Sequence, residues 1–215
     1  MTIGNPDIVL DIRDLTCGYG DKSIIEDFNL QVKPGEIIAI TGPNGCGKST
    51  LLKAIYQLCK IEKGEIQFKE ISLLNKTPEQ VKELGIAYFM QKNSIFTQLS
   101  VKENILLSLN GMNSLEKQNK LEEIIRLYPQ MDEWMKKTAG LLSGGQRQQL
   151  AMGMLLSQNA KLWLLDEPTA GLDEKNSANF ITTLRQTFNN RNLLILLVEH
   201  KKQIIDDLAT RILKL

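Results

Sequence analysis

The stretch "GPNGCGKST", residues 42–50, follows the apolar run "IIAIT" at 37–41 and precedes "LLKAIYQLCK", whose apolar residues recur at helical spacing. Gly42, Gly45, Gly47, Lys48 and Ser49 fit the pattern G-x-x-x-x-G-K-[ST], in the strand-to-helix setting that the pattern requires. The glycines let backbone N–H groups curl around phosphates, and the helix start adds positive partial charge. Lys48 would reach the β- and γ-phosphate oxygens, and the Ser49 hydroxyl could ligate Mg²⁺. Binding is expected along the whole loop, including Pro43, Asn44, Cys46 and Thr50. The alternative, a glycine-rich turn that binds nothing, is disfavoured by the flanking strand and helix.

A second anion cradle lies about a hundred residues on. In "LLSGGQRQQL", 141–150, the hydroxyl of Ser143, then Gly144 and Gly145, then Gln146 open a long helical pattern with no further breaker.

Carboxylates follow. The run "LWLLDEP", 162–168, reads as a buried strand ending in Asp166 and Glu167, at the strand end where α/β sheets present ligand-binding groups. Asp166 is expected in the Mg²⁺ shell and Glu167 on the attacking water, because adjacent strand residues point to opposite faces. A solvated acidic loop stopped by Pro168 is the weaker reading beside a phosphate loop. His200, the only histidine, ends the next apolar strand, "NLLILLVEH"; a lone histidine is often structural, but a strand terminus beside a phosphate loop favours a catalytic one. Gln91, after "GIAYFM", is a neutral polar group at another strand end, able to reach the metal or the water.

Composition narrows the class. The chain has 215 residues, enough for a large α/β domain or a core with a smaller subdomain. Lys plus Arg (26) nearly cancels Asp plus Glu (25), so no bulk field favours nucleic acid. Cys17, Cys46 and Cys59 are odd in number and form no C-x-x-C pair, which fits a reducing compartment. The N-terminus lacks a signal-peptide pattern, and no apolar run approaches the roughly 20 residues needed to span a bilayer.

Strand patterns at "IVLDIRDL", "IIEDFNLQV", "IIAIT", "GEIQFK" and "GIAYFM" alternate with helices, predicting an α/β core with a mixed sheet. From 94 to 160 the pattern is helical ("VKENILLSL", "SLEKQNKLEEIIRLY", "QRQQLAMGMLLSQ") without a convincing strand. We read 1–215 as a single domain, with 1–93 and 161–215 as the core and 94–160 as an inserted helical subdomain.

These motifs together resemble the nucleotide-binding domain of ABC-type ATPases, over essentially the whole chain. "GPNGCGKST" looks like the Walker A sequence of this P-loop NTPase family, "LSGGQ" (142–146) its signature, "LWLLDEP" its Walker B and "AGLD" (170–173) its D-loop. Gln91 looks like the Q-loop glutamine, His200 the H-loop histidine, and Tyr19 in "CGYG" the aromatic residue that stacks on adenine. The resemblance implies an ATP- and Mg²⁺-dependent ATPase in which two domains associate head to tail, as a homodimer or with a related ATPase subunit. Each ATP then lies between the Walker A of one and the signature of the other. It also implies integral membrane permease subunits as partners, no nucleic acid, and a cytoplasmic position on the inner face of the cell membrane. "GIAYFMQKNSIFTQLSVKENILL" and "LVEHKKQIIDDLATRILKL" look like the branched-chain amino acid type of bacterial ATPase subunit and its lipopolysaccharide-export relatives. Ending at "ILKL", short of the terminal strands of many relatives, the chain is expected to lack a regulatory domain. A soluble ABC ATPase in cofactor assembly, DNA maintenance or ribosome function is the alternative. The long coiled coils or fused second ATPase domain of such relatives are not found in this sequence.

Overall fold

A computed structural model describes residues 8–91, 94–191 and 193–215, with 190 and 191 described by backbone alone. In chain order the elements are β1 (Leu10–Tyr19), β2 (Lys22–Val32), β3 (Ile37–Thr41), α1 (Lys48–Ile55), β4 (Lys60–Phe68), β5 (Ile71–Ser72), α2 (Pro78–Glu83) and β6 (Ile86–Phe89). Then come α3 (Val101–Ser108), α4 (Ser114–Leu127), two short 3-10 turns, α5 (Gly144–Leu156), β7 (Leu162–Asp166), α6 (Glu174–Arg191), β8 (Leu194–Val198), α7 (Lys202–Leu208) and β9 (Arg211–Lys214).

The chain divides into two compact units, one of residues 1–88, 160–166 and 188–215, the other of 89–159 and 167–187. This division departs from the expected 94–160 boundary chiefly at 167–187. The start of that stretch is tied to α5 by side chains: Gln148 Nε2 donates to the Pro168 carbonyl, and Gln149 Nε2 to Asn176 Oδ1 at 3.4 Å.

In the first unit the expected mixture of strand directions is realised as two sheets. One, in the order β2-β1-β4-β5, is antiparallel; the other, β6-β7-β8-β3-β9, pairs β7 with β8, β8 with β3 and β3 with β9 in parallel. The directions follow from the sequence. β1 alternates, sending Leu10 and Ile12 inward and Asp11 and Arg13 outward, as a sheet with one wet face does. β7 and β8 are buried at every position, as parallel strands covered on both faces are. Leu51, Leu52 and Ile55 of α1 join Ile38, Ile40, Leu162, Leu164, Leu196 and Val198 in one apolar core. That packing fixes the helix start behind the glycine loop.

The second unit begins its helices with reciprocal caps. Ser100 with Glu103, Asn113 with Glu116, and Ser143 with Gln146 each form a capping box, for α3, α4 and α5. Buried Asn104 on α3 pins the incoming segment: its amide donates to the Phe96 and Ser100 carbonyls at 2.9 and 3.0 Å and accepts from Phe96 N–H at 2.7 Å. Among the described residues no helix is long and apolar enough to cross a membrane.

Candidate nucleotide site

The glycine loop runs from the end of β3 to α1. Gly47 is the N-cap of α1 at φ 107, a left-handed conformation that penalises any side chain, and an added β-carbon would lie 2.9 Å from Ile25 Cγ1. Gly42, at φ 150, admits no β-carbon either, since one would stand 2.6 Å from the Leu215 carbonyl oxygen. The remaining loop residues, Pro43, Asn44, Gly45 and Cys46, complete the turn, with Cys46 N–H on the Pro43 carbonyl at 3.4 Å. Thr50 is buried in the first turn of α1.

Lys48 is buried, and its ammonium donates to the Gly42 and Pro43 carbonyls at 2.9 and 2.8 Å. Those bonds hold the positive charge inside the loop's curl. Ser49 Oγ donates to Asp166 Oδ1 at 2.8 Å, joining the helix start to the end of β7 across 117 residues of sequence. Tyr88, on β6, donates its hydroxyl to Asp166 Oδ2 at 3.3 Å. Burial first, and then the Asp166 carboxylate, push the Tyr88 phenol well above its ordinary range, so it stays a proton donor.

Tyr19, at the end of β1, is 45% exposed, and the Lys53 ammonium of α1 lies 5.6 Å from its ring centroid. His200 follows β8 as an exposed residue. Its backbone N–H, and that of Lys201, are held by the buried Glu199 carboxylate at 2.8 and 3.1 Å.

In the second unit Gln91 Nε2 donates to Glu167 Oε2 at 2.5 Å. Glu167 adopts φ 48, a left-handed conformation rare for a residue with a side chain. Glu167 lies beyond the last residue of β7, in a left-handed turn, so the strand alternation expected from the sequence does not reach it. Ser143 caps α5: its Oγ accepts from Gln146 N–H at 3.3 Å, while Gln146 Oε1 accepts from Ser143 N–H at 2.9 Å. Ser143 and Gly144 are exposed, and a β-carbon on Gly144 would meet nothing within 4 Å. Gly145 faces the Asn176 side chain. A cavity of about 240 Å³ is lined by Gln91, Ser94, Ile95, Thr97, Gly144 and Arg147, among others.

The described contacts thus bring together Ser49 with Asp166, and Gln91 with Glu167. Sequence reasoning missed Tyr88, Lys53 and Glu199. Tyr88 reads as one more strand aromatic in "GIAYFMQ", and Glu199 as a charge beside a histidine. The S-x-x-Q spacing of Ser143 and Gln146 was a legible capping signal.

Known proteins resemble the chain in sequence and in fold. The family model described as ABC transporter matches residues 25–170, a span that includes the glycine loop, Gln91, the α5 start and both carboxylates. A protein of Archaeoglobus fulgidus, named as a probable branched-chain amino acid transport ATP-binding protein, is 35% identical over 189 residues, 88% of this chain and 80% of that protein. An sn-glycerol-3-phosphate import ATP-binding protein of Rhizobium johnstonii is 31% identical over 205 residues, 94% of this chain; the chain spans only 54% of that longer relative. Among solved structures, a dimeric bacterial ABC transporter cassette superposes with a TM-score of 0.84 at 24% identity, over 96% of this chain and 94% of that one. A nucleotide-free ATP-binding cassette from an ABC transporter gives 0.83 at 23%, over 97% and 87%. At these identities the structural likeness establishes the fold, an α/β ABC cassette. With its phosphate loop, strand-end carboxylates and signature helix, the chain belongs to the ABC transporter family as an ATP-binding, ATP-hydrolysing subunit.

Proposed function

We propose that two such chains, or this chain and a related ATPase subunit, close head to tail around ATP and drive a separate membrane permease from the cytoplasmic face. The observation that carries this is the exposed start of α5. Gly144 and Gly145 leave backbone N–H groups accessible at a helix N-terminus, and Ser143 holds that terminus in a capping box. A surface-facing anion cradle on a chain that already has one behind Gly47 suits the γ-phosphate of an ATP held by another chain. Closure then follows from linkage, since ATP contacts both halves only in the closed pair.

Within the site, Lys48 and the loop from Gly42 to Thr50 hold the phosphates, and Tyr19 stacks on adenine. Glu167 orients or deprotonates the attacking water; Gln91, bonded to it, shares that water, and His200 assists at the γ-phosphate. The Ser49 hydroxyl and Asp166 carboxylate are hard oxygen donors already within 2.8 Å of one another, a pair that fits Mg²⁺. When bound, the ion would neutralise phosphate charge. Gln91 is a further candidate for its shell.

The permease would dock on 95–101 and α3, beside the cavity lined by Gln91 and Arg147. Phe96 there is 58% exposed, as an apolar docking residue is expected to be. The test is detergent-dependent co-purification of the tagged chain with an integral membrane protein. Phe96→Asp should abolish co-purification and leave ATP affinity unchanged; retained co-purification would remove this surface from the account.

A further inference from the structure

We infer that Tyr88 is a positioning residue for the reaction: its hydroxyl, bonded to Asp166 Oδ2, fixes the plane of the carboxylate that would ligate Mg²⁺. The inference rests on the assignment of Asp166 to the Mg²⁺ shell, and adds to it a residue outside the motifs read from the sequence.

The last bond of an aspartate side chain is an sp³–sp² torsion with a broad energy profile, so a carboxylate held by one oxygen still rocks. Asp166 is held at both. Ser49 Oγ donates to Oδ1 at 2.8 Å, and the Tyr88 hydroxyl donates to Oδ2 at 3.3 Å. A serine hydroxyl has one proton and two lone pairs, so Ser49 can keep its bond to Oδ1 while offering a lone pair to a cation. Tyr88 offers no such second use here. Its contribution is to stop the carboxylate turning about its own axis.

Tyr88 is itself held. Its ring packs against that of Tyr56, with centroids 5.5 Å apart and planes inclined at 51°. Tyr56 is the C-cap of α1, the helix whose first turn carries Ser49. The two grips on Asp166 therefore come from opposite ends of one eight-residue helix, Ser49 directly and Tyr56 through Tyr88. Hydrogen-bonding partners of this kind, one layer behind the ligands, typically change metal affinity by roughly tenfold or more when removed. A bond at 3.3 Å belongs at the lower end of that range.

The test uses the full chain and a fluorescent ATP analogue, N-methylanthraniloyl-ATP, titrated once in EDTA and once in saturating Mg²⁺. The ratio of the two Kd values is the gain that the ion supplies. Tyr88→Phe keeps the ring on Tyr56 and removes only the hydroxyl; it should leave Kd in EDTA unchanged and lower the gain roughly tenfold. Tyr56→Phe, which alters the same ring pair without touching Asp166, should leave both values unchanged. An unchanged gain in Tyr88→Phe overturns the inference, as does an equal loss in EDTA and in Mg²⁺, or an equal effect from Tyr56→Phe. Asp166→Asn separates the two levels. If it abolishes the gain while Tyr88→Phe does nothing, Tyr88 alone has been misassigned; if it too leaves the gain intact, the metal assignment of Asp166 falls and the inference with it.

Discussion

Gln91 Nε2 donates to Glu167 Oε2 at 2.5 Å, joining the second residue past the end of β6 to the residue that follows β7 across 76 positions of sequence. Glu167 meets this partner from a left-handed backbone at φ 48. That backbone costs a non-glycine residue of order 1–3 kcal/mol, and Asp14, Asp27, Gln57, Lys69, Glu70 and Asn75 adopt it too, so it is the bond to Gln91 that distinguishes Glu167.

Glu167→Gln keeps the shape and still offers an oxygen to Gln91, but loses the base and one negative charge near the γ-phosphate. Turnover should fall by at least about a hundredfold while ATP affinity is kept or improved. MgATP should then hold the variant as a stable dimer on size exclusion. Hydrolysis at the wild-type rate would remove Glu167 from the mechanism.

Glu199 organises the turn that carries His200. Its buried carboxylate accepts the N–H groups of His200 and Lys201, so Glu199→Ala should cost about 2 kcal/mol. For a domain of this size that is a fall in Tm of roughly 4–8 °C. Because the turn also sets the histidine, kcat should fall further than ATP affinity, and Glu199→Gln, which retains an acceptor oxygen, should recover much of both. Loss of stability with kcat intact would confine Glu199 to a structural role.

Cys46 lies within the phosphate loop, its sulfur so close to Gly42 that a β-carbon there would stand 2.8 Å from it. A maleimide adduct at Cys46 should inactivate the protein, MgATP should protect, and Cys46→Ser should remain active and resist inactivation. Labelling that persists in Cys46→Ser belongs to the half-buried Cys59. The Cys59 thiol is held below its usual range by a hydrogen bond with Cys17 and, secondarily, by Lys53. Its thiolate therefore survives to lower pH than that of an ordinary cysteine, and Lys53→Met should shift its labelling profile upward. Inactivation of Cys46→Ser would move the sensitive thiol out of the loop.

How much of this was legible beforehand depended on whether a residue's role is local. Lys48 and Ser49 could be read because a phosphate loop is built from consecutive residues whose types carry the chemistry. The apolar runs of β3, β7 and β8 were legible for a similar reason, since burial on both faces leaves an unbroken pattern. Tyr88 and Tyr56 could not be read. Each is an aromatic in a strand or at a helix end, and their relation to Asp166 exists only once β6, β7 and α1 are packed. The left-handed turn at Glu167 was likewise hidden, because the sequence reads as a strand running on into its second carboxylate. The grouping of 167–187 with the helical unit was also not legible, because it joins segments distant in sequence, as the Gln148 and Gln149 bonds to Pro168 and Asn176 do, and no periodicity encodes such contacts.

In the proposed head-to-tail pair, the cradle behind Gly47 and the cradle behind Ser143 complete one another in different chains. Lys48→Ala disables the first, and Ser143→Arg fills the second with a bulky side chain, so neither variant alone can build a complete site. Mixed together they form a pair in which the intact loop of the Ser143→Arg chain meets the intact α5 start of the Lys48→Ala chain. The measurement is MgATP-dependent capture of one variant by a tag on the other, with wild-type chains as the reference. Capture is expected in the mixture and none for either variant with itself. Wild-type capture without any rescue in the mixture would mean that both cradles serve a single chain, and would contradict the head-to-tail pair.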